Sequence, residues 1–305
     1  VTDPAPLAGN DGPGGASAWW LPAADGVRIR IVHWPAPEGA RGTVLILPGR
    51  TEWAEKYALT AAALAARGWG AVAVDWRGQG LADRRLDDPR IGHVADFAEY
   101  QRDLRAVLDW AGPLGPMPWL AHSMGGCIAL RALMDGLHPP AVAFSAPMWG
   151  LATTSWLRAA VALQARLSRL LGRDRSDTPT TGLPAMRFDR NPLTRDRPMF
   201  DRMKAQIAAE PRLALGGPSL AWTGAALAEM AALARRPSPA VPALVALGGA
   251  EKIVSPRAIA ARLRRWPGAE RADCAGAGHE LLMERPAVRA DLLRRAVALF
   301  DRYTG

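Results

Sequence analysis

From Ala16 onward, ASAWWLPAADGVRIRIVHW alternates polar and apolar positions around an Asp25-Gly26 pair, which predicts an antiparallel hairpin at a sheet edge. The period then changes. Short apolar runs, TVLILPG, GAVAVDW, MPWLAHS and AVAFSAP, have the length of buried strands. Between them lie segments of helical period, EWAEKYALTAAALAARG closed by Gly68, DFAEYQRDLRAVLDWAG closed by Gly112, and MGGCIALRALMDG. Strands alternating with helices imply an α/β fold, a mostly parallel sheet wound on both faces. The alternation stops at Met148 and resumes near Pro237 with a strand in PALVALGGAE and a helix in SPRAIAARLRRW, capped by Ser255 with Pro256 in its first turn. A short strand in RADCAG and a closing helix in PAVRADLLRRAVALFDRY follow. The expected organisation is a core from 1–147, with 1–17 a flexible arm, a helical cap inserted at 148–236, and the rest of the core at 237–305.

Composition narrows this only slightly. A chain of 305 residues with 49% hydrophobic content is long enough to bury a sizeable core. No run of eighteen apolar residues predicts a membrane span, and VTDPAPLAGNDGPGGASAWW lacks the basic start and apolar centre of a secretory signal. Cys127 and Cys274 stand apart in apolar stretches, as buried free thiols of a reducing compartment do, so the expected location is the cytoplasm or, peripherally, the inner membrane face. There is no zinc-ligand spacing, and neither metal nor cofactor is expected. The net charge of +9 favours an anionic partner, but no aromatic-basic motif recommends nucleic acid.

The chemistry concentrates in WLAHSMGGCIAL, where an apolar run leads into Ser123 and a helix pattern follows at once. This is the form of a nucleophile elbow, in which the residues where strand and helix pass closest must be small. Gly125 and Gly126 keep the helix side open, and Ala121, in the place usually held by glycine, adds one methyl. A serine attacks an ester only when an imidazole takes its proton, and in this architecture the partners follow in the order serine, acid, histidine. His279, in GAGHELLMERP between the last strand and the last helix, fits the base; His33, His93, His122 and His138 fit structural positions. Glu251, just past the strand LVALG, fits the acid, with Asp273 as second choice, and Asp75 is expected to organise the turn from Arg77 to Gly80. Two backbone N–H groups are needed for the oxyanion, each worth about 3 to 4 kcal/mol of transition-state stabilisation. Met124, after the nucleophile, and Arg50, in the loop LPGRTEW, are the candidates. The Arg50 side chain has two uses open to it, an ion pair with Glu52 or Glu55 and contact with a substrate phosphate.

With these pieces placed, the sequence resembles the α/β-hydrolase family of bacterial lysophospholipases and monoacylglycerol lipases, also called serine aminopeptidase-like. LPGRTEWAEKY, VDWRGQG, HVADFAEYQRDL, LAHSMGG, SAPMWG and GAGHELLMERP look like its motifs, in its order. Pro48-Gly49-Arg50 and Ala121-His122-Ser123 are similar to the inner-membrane lysophospholipase branch. The resemblance implies hydrolysis of a single-chain lipid ester, a lysophospholipid before a monoacylglycerol, with a small-ester carboxylesterase or an aminopeptidase as the alternatives. A catalytically silent lipid- or protein-binding relative is the alternative of another class.

Within the cap, SWLRAAVALQARLSRLLGR gathers Trp156, Leu163, Leu167, Leu170 and Leu171 on one side of a helix, opposite Arg158, Arg166, Arg169 and Arg173. Two readings fit: an apolar face packed on the core under solvated arginines, or a basic amphipathic helix lying on an anionic membrane. Met148, Trp149, Trp156 and Trp222 are the expected substrate-lining residues of the cap.

Overall fold

The computed structural model of the chain describes residues 3–9, 11–173, 175 and 182–304. Among these residues, nine strands form one sheet: β1 (Asp3–Pro4), β2 (Ser17–Pro22), β3 (Arg28–Trp34), β4 (Gly42–Leu47), β5 (Trp69–Asp75), β6 (Trp119–His122), β7 (Val142–Ser145), β8 (Ala243–Gly248) and β9 (Ala269–Cys274). They lie in the order β1-β2-β3-β5-β4-β6-β7-β8-β9. The first three run antiparallel to their neighbours and the rest parallel. This is the doubly wound α/β-hydrolase arrangement.

The helices are α1 (Ala58–Ala65), α2 (Ala98–Ala111), α3 (Met124–Met134), α4 (Ser155–Leu170), α5 (Arg197–Ala209), α6 (Leu220–Arg235), α7 (Pro256–Leu263) and α8 (Pro286–Thr304). The central strands read as unbroken apolar runs because both faces are covered: every residue of β5, β6, β7 and β8 is buried. One core layer joins α2, α3 and α6 to one sheet face, and a second joins α1, α5 and α8 to the other. Gly68 ends the α1 segment at φ +79°, a left-handed turn in which a side chain would be strained. Cys127 is buried and Cys274 half-buried, and neither forms a disulfide.

Two features depart from the sequence reading. The N-terminal segment is seated rather than free: Asp3 and Pro4 pair with Trp20 and Trp19, the Ala5 N–H reaches the Ala18 carbonyl, and the Ala8 N–H reaches Glu55 Oε1 at 2.8 Å. Edge strand β2 leaves backbone groups unpaired, and this segment supplies partners for them. Val1, Thr2 and Asn10 of the expected arm lie outside the described residues. The interval from Met148 to Arg236 does sit between β7 and β8 and, among its described residues, holds α4, α5 and α6 but no strand. Yet α5 contributes Met199, Phe200 and Met203 to one core layer, and α6 contributes Trp222, Ala226 and Met230 to the other. Helix α4 packs on α6 through Ala165, the one residue of α4 that is buried. Residues 174 and 176–181 of the expected cap lie outside the described residues.

Candidate active site

Ser123 sits between the end of β6 and the start of α3 at φ +47° and ψ −113°, a conformation that L-residues avoid and that a fold must over-determine to keep. Three backbone bonds do so. Its N–H donates to the Ser145 carbonyl at 3.0 Å, and its own carbonyl accepts from Cys127 at 3.2 Å and from Met148 at 2.8 Å. The neighbours must be small: a Cβ on Gly126 would lie 2.7 Å from Pro147 Cβ, and one on Gly125 would overlap the Leu47 carbonyl. Ala121 lies within β6, paired with Leu47 and Phe144, so its methyl fills core space instead of blocking the elbow.

The serine hydroxyl lies 2.9 Å from His279 Nε2, and His279 Nδ1 lies 2.7 Å from Glu251 Oε2. A carboxylate can only accept, so Nδ1 carries the proton and Nε2 is left to accept from the serine. The other Glu251 oxygen is held by the Ile253 and Val254 amides at 2.6 and 3.1 Å. Burial pushes the Glu251 pKa up, but the His279 hydrogen bond and charge together with these amides outweigh it and hold it below the ordinary glutamate value. The insert clamps the histidine loop, since the His279 and Glu280 N–H groups donate to the Pro192 and Leu193 carbonyls. Asp273, the second choice of acid, points into solvent from β9 and pairs with Arg271.

Across from this row, the loop after β4 brings Gly49 against the serine: a Cβ there would lie 3.1 Å from Ser123 Cβ. The Gly49 carbonyl accepts from Gln79 Nε2 at 2.7 Å, and the Gly49 N–H donates to Glu52. A trans peptide points its N–H opposite its carbonyl, so fixing the Gly49 carbonyl also aims the Arg50 N–H. Glu52 also accepts from Tyr57 at 2.6 Å and from Lys56 at 2.6 Å, and Lys56 Nζ reaches Glu280 Oε1 at 2.8 Å. These side chains are all buried. Although burial opposes it, the Lys56 ammonium keeps Glu52 the charged carboxylate of the pair, whereas burial leaves Glu280 raised. His122 joins both sides: Nδ1 meets the Ser145 carbonyl at 2.9 Å, and its ring lies 4.9 Å from that of His279. Burial lowers its pKa to about 4 against the pull of Glu52, so it is neutral near pH 7. Glu52, His122 and Glu280 cluster as metal ligands could, but the Lys56 ammonium already sits between the two carboxylates.

The sequence model of the family described as Hydrolase_4, serine aminopeptidase S33, matches residues 38–286. The chain belongs to this family. Over 297 residues it is 33% identical to Lysophospholipase L2 of Escherichia coli K12, covering 92% of this chain and 86% of that one. The Probable lysophospholipase L2 of Haemophilus influenzae is 26% identical over 282 residues, covering 90% and 89%. Among solved structures, a soluble variant of monoglyceride lipase from Saccharomyces cerevisiae aligns with a TM-score of 0.74 at 21% identity, over 92% of this chain and 94% of that one. A thermostable carboxyl esterase from Bacillus coagulans aligns at 0.75 and 12% identity, over 96% and 100%. These structures share the fold.

In this serine hydrolase, several side chains lie elsewhere than the motifs suggest. Arg50 pairs with neither Glu52, which is taken by Lys56 and Tyr57, nor Glu55, which is taken by Arg30 at 2.6 Å. Asp75 does organise its turn, accepting from Leu81 at 2.9 Å, and also binds Arg30 and the Ala54 amide. Met148 is buried, and its N–H donates to the Ser123 carbonyl. Trp149 belongs to the core: its indole N–H reaches the Gly126 carbonyl, and its ring stacks on Trp266 at 6.0 Å. Trp222 is buried, with its indole N–H on the Tyr100 hydroxyl at 3.0 Å. Trp156, expected to line an acyl path, is 69% exposed. The reason lies in α4, which packs through small residues, with Ala165 against Gly224 of α6, so its leucine side faces outward. The Glu52, Lys56, Gln79 and Glu280 network leaves one trace in the sequence, the four-residue spacing of Glu52 and Lys56, and Glu52 itself lies before the helical turn that starts at Ala54.

Proposed function

We propose that this chain hydrolyses the ester of a single-chain lipid, a lysophospholipid first, with Ser123 as nucleophile. His279 takes the hydroxyl proton at Nε2 as Oγ attacks the acyl carbon, and Glu251 holds the imidazole in the right tautomer and stabilises its charge. The Met124 amide, at the start of α3, and the Arg50 amide receive the oxyanion. Collapse transfers the His279 proton to the departing alcohol, and water, activated by the same imidazole, then releases the fatty acid. The observation that carries the reading is the unbroken row of two short hydrogen bonds, 2.9 and 2.7 Å, from Ser123 through His279 to Glu251. The relatives named lysophospholipase support the substrate class; a monoacylglycerol lipase of Mycolicibacterium smegmatis, 35% identical over 106 residues, matches only 34% of this chain.

We assign residues 148–236 as a cap and its outward face as the membrane contact. Leu163, Leu167, Leu170 and Leu171 of that face are 50 to 75% exposed, and Arg166 and Arg169 flank it. No helix among the described residues is long and apolar enough to cross a membrane, so contact would be at the surface. Acyl release from a lysophospholipid, a monoacylglycerol and a short nitrophenyl ester, assayed side by side, tests the function. Preference for the lysophospholipid, lost in Ser123→Ala together with fluorophosphonate labelling, is expected; labelling that survives the substitution would overturn it. Co-sedimentation with phosphatidylglycerol vesicles should fall at least tenfold in Leu163→Asp/Leu167→Asp, and unchanged binding would remove α4 from the contact.

A further inference from the structure

Among the described residues, the Arg50 guanidinium is a cation without an anion. No carboxylate lies within 4 Å of it among the described residues, and its only hydrogen bond there runs from Nη2 to the Gly216 carbonyl at 2.7 Å. Its Nε is enclosed and has no acceptor. The group lies between Gly92, where a Cβ would come within 3.2 Å of Nη2, and the Trp222 ring, whose centroid is 5.3 Å from Arg50 Cζ. Burial alone lowers its pKa to about 10, still leaving it charged. An enclosed charge with unmet donors is costly unless something completes it, and the two acids nearest in sequence, Glu52 and Glu55, are bound elsewhere. The cation-π contact with Trp222 recovers only part of that cost.

We propose that the Arg50 side chain is the subsite for the phosphate of the leaving glycerophosphoryl group. This rests on the reading of Ser123 as nucleophile of a lipid esterase. The preceding residue, Gly49, borders Ser123, so the Arg50 guanidinium lies no further than about one side-chain length beyond it. In a lysophospholipid, phosphorus is separated from the ester carbonyl carbon by a similar stretch of single bonds, about 6 to 7 Å when extended. A phosphate oxygen would meet Nη1, which has no acceptor among the described residues and, unlike Nε, is not enclosed, and guanidinium is the side-chain cation best suited to phosphate. A monoacylglycerol carries a hydroxyl there and leaves the charge unmet. Arg50 thus discriminates between two lipids that present the same acyl ester.

The test compares wild type with Arg50→Gln and Arg50→Lys, all of which keep the backbone amide. The readout is the ratio of kcat/KM for a lysophosphatidylglycerol to that for the monoacylglycerol of equal chain length. Arg50→Gln should lower this ratio about 10- to 100-fold, and Arg50→Lys should restore part of it. An unchanged ratio, with both substrates slowed alike, would make Arg50 a structural or oxyanion residue and overturn the proposal. A second arm is independent of turnover: calorimetric titration of sn-glycerol 3-phosphate and inorganic phosphate into the Ser123→Ala protein, with and without Arg50→Gln. Binding of glycerol 3-phosphate weakened at least tenfold by Arg50→Gln supports the subsite even if acyl release fails, in which case the esterase reading alone falls. Equal binding in both backgrounds, or binding of inorganic phosphate only, overturns it.

Discussion

On one side of Ser123, His279 meets the hydroxyl at 2.9 Å and Glu251 meets His279 at 2.7 Å. On the other side, Gly49 and Arg50 offer only backbone, and their orientation comes from Gln79, Glu52, Lys56, Tyr57 and Glu280 behind them. The first side is a line of side chains whose chemistry resides in the residues themselves. The second is a peptide plane whose chemistry resides in how it is held. The two halves should therefore fail differently: replacing a member of the line removes a proton acceptor or its tautomer, whereas loosening the plane leaves every reacting group present but badly aimed.

The largest effect falls on the line. In Glu251→Gln the Ile253 and Val254 amides would keep the side-chain oxygen, so the new NH2 would face His279 Nδ1. That forces Nδ1 to accept and moves the ring proton to Nε2, where it cannot take the serine proton. We expect kcat to fall about 10³- to 10⁴-fold with KM nearly unchanged. A loss under tenfold would show that the acid is dispensable and erase the asymmetry between the two sides.

How much of each half could be read from the chain follows from the same contrast. Ser123, Gly125 and Gly126 form a local motif; Glu251 and His279 are found because the topology sets their order along the strands. The parallel core was equally legible, because β5 to β8 are covered on both faces and so read as continuous apolar runs. The holding network was not legible: Lys56 and Glu280 are 224 residues apart, and nothing local marks either as the other's partner. Helix α4 shows a third limit. Its period correctly separated a leucine side from an arginine side, but which side meets the body was decided by close packing of Ala165 on Gly224, and the leucines face out. Arg50 follows the same logic, since its expected ion pairs were lost to Lys56 and Arg30.

His122 lies between the halves and tests whether they are joined. Its pKa is lowered to about 4, so below the unfolded value near 6.5 the unfolded chain binds a proton that the folded chain refuses. The penalty is absent above pH 6.5 and grows as pH falls towards 4. It reaches about 2 to 3 kcal/mol at pH 4.5. His122→Asn keeps a donor for the Ser145 carbonyl but does not titrate. Urea denaturation of both proteins at pH 7 and pH 4.5 should show wild type losing more stability than the variant by about that amount. Equal losses would mean that the ring is protonated in the fold without penalty, and that charge beside His279 is tolerated.

The smallest effect, and the sharpest for the comparison, belongs to Gln79. Its Nε2 donates to the Gly49 carbonyl at 2.7 Å and to the Glu52 carbonyl at 3.2 Å, and it touches no reacting atom in the proposed mechanism. In Gln79→Ala the Gly49–Arg50 peptide loses the bond that sets its plane, although Glu52 still holds the Gly49 amide. Because one of the two proposed oxyanion donors is misaimed but present, kcat should fall about 10- to 30-fold, less than outright removal of a donor costs. KM should move little, and a boronate that mimics the tetrahedral state should bind more weakly by the same factor as kcat. Gln79→Glu should not rescue, since a carboxylate cannot donate to a carbonyl. If Gln79→Ala instead raises KM and leaves boronate affinity intact, the plane is set by Glu52 alone, and the oxyanion side needs fewer supports than the structure supplies.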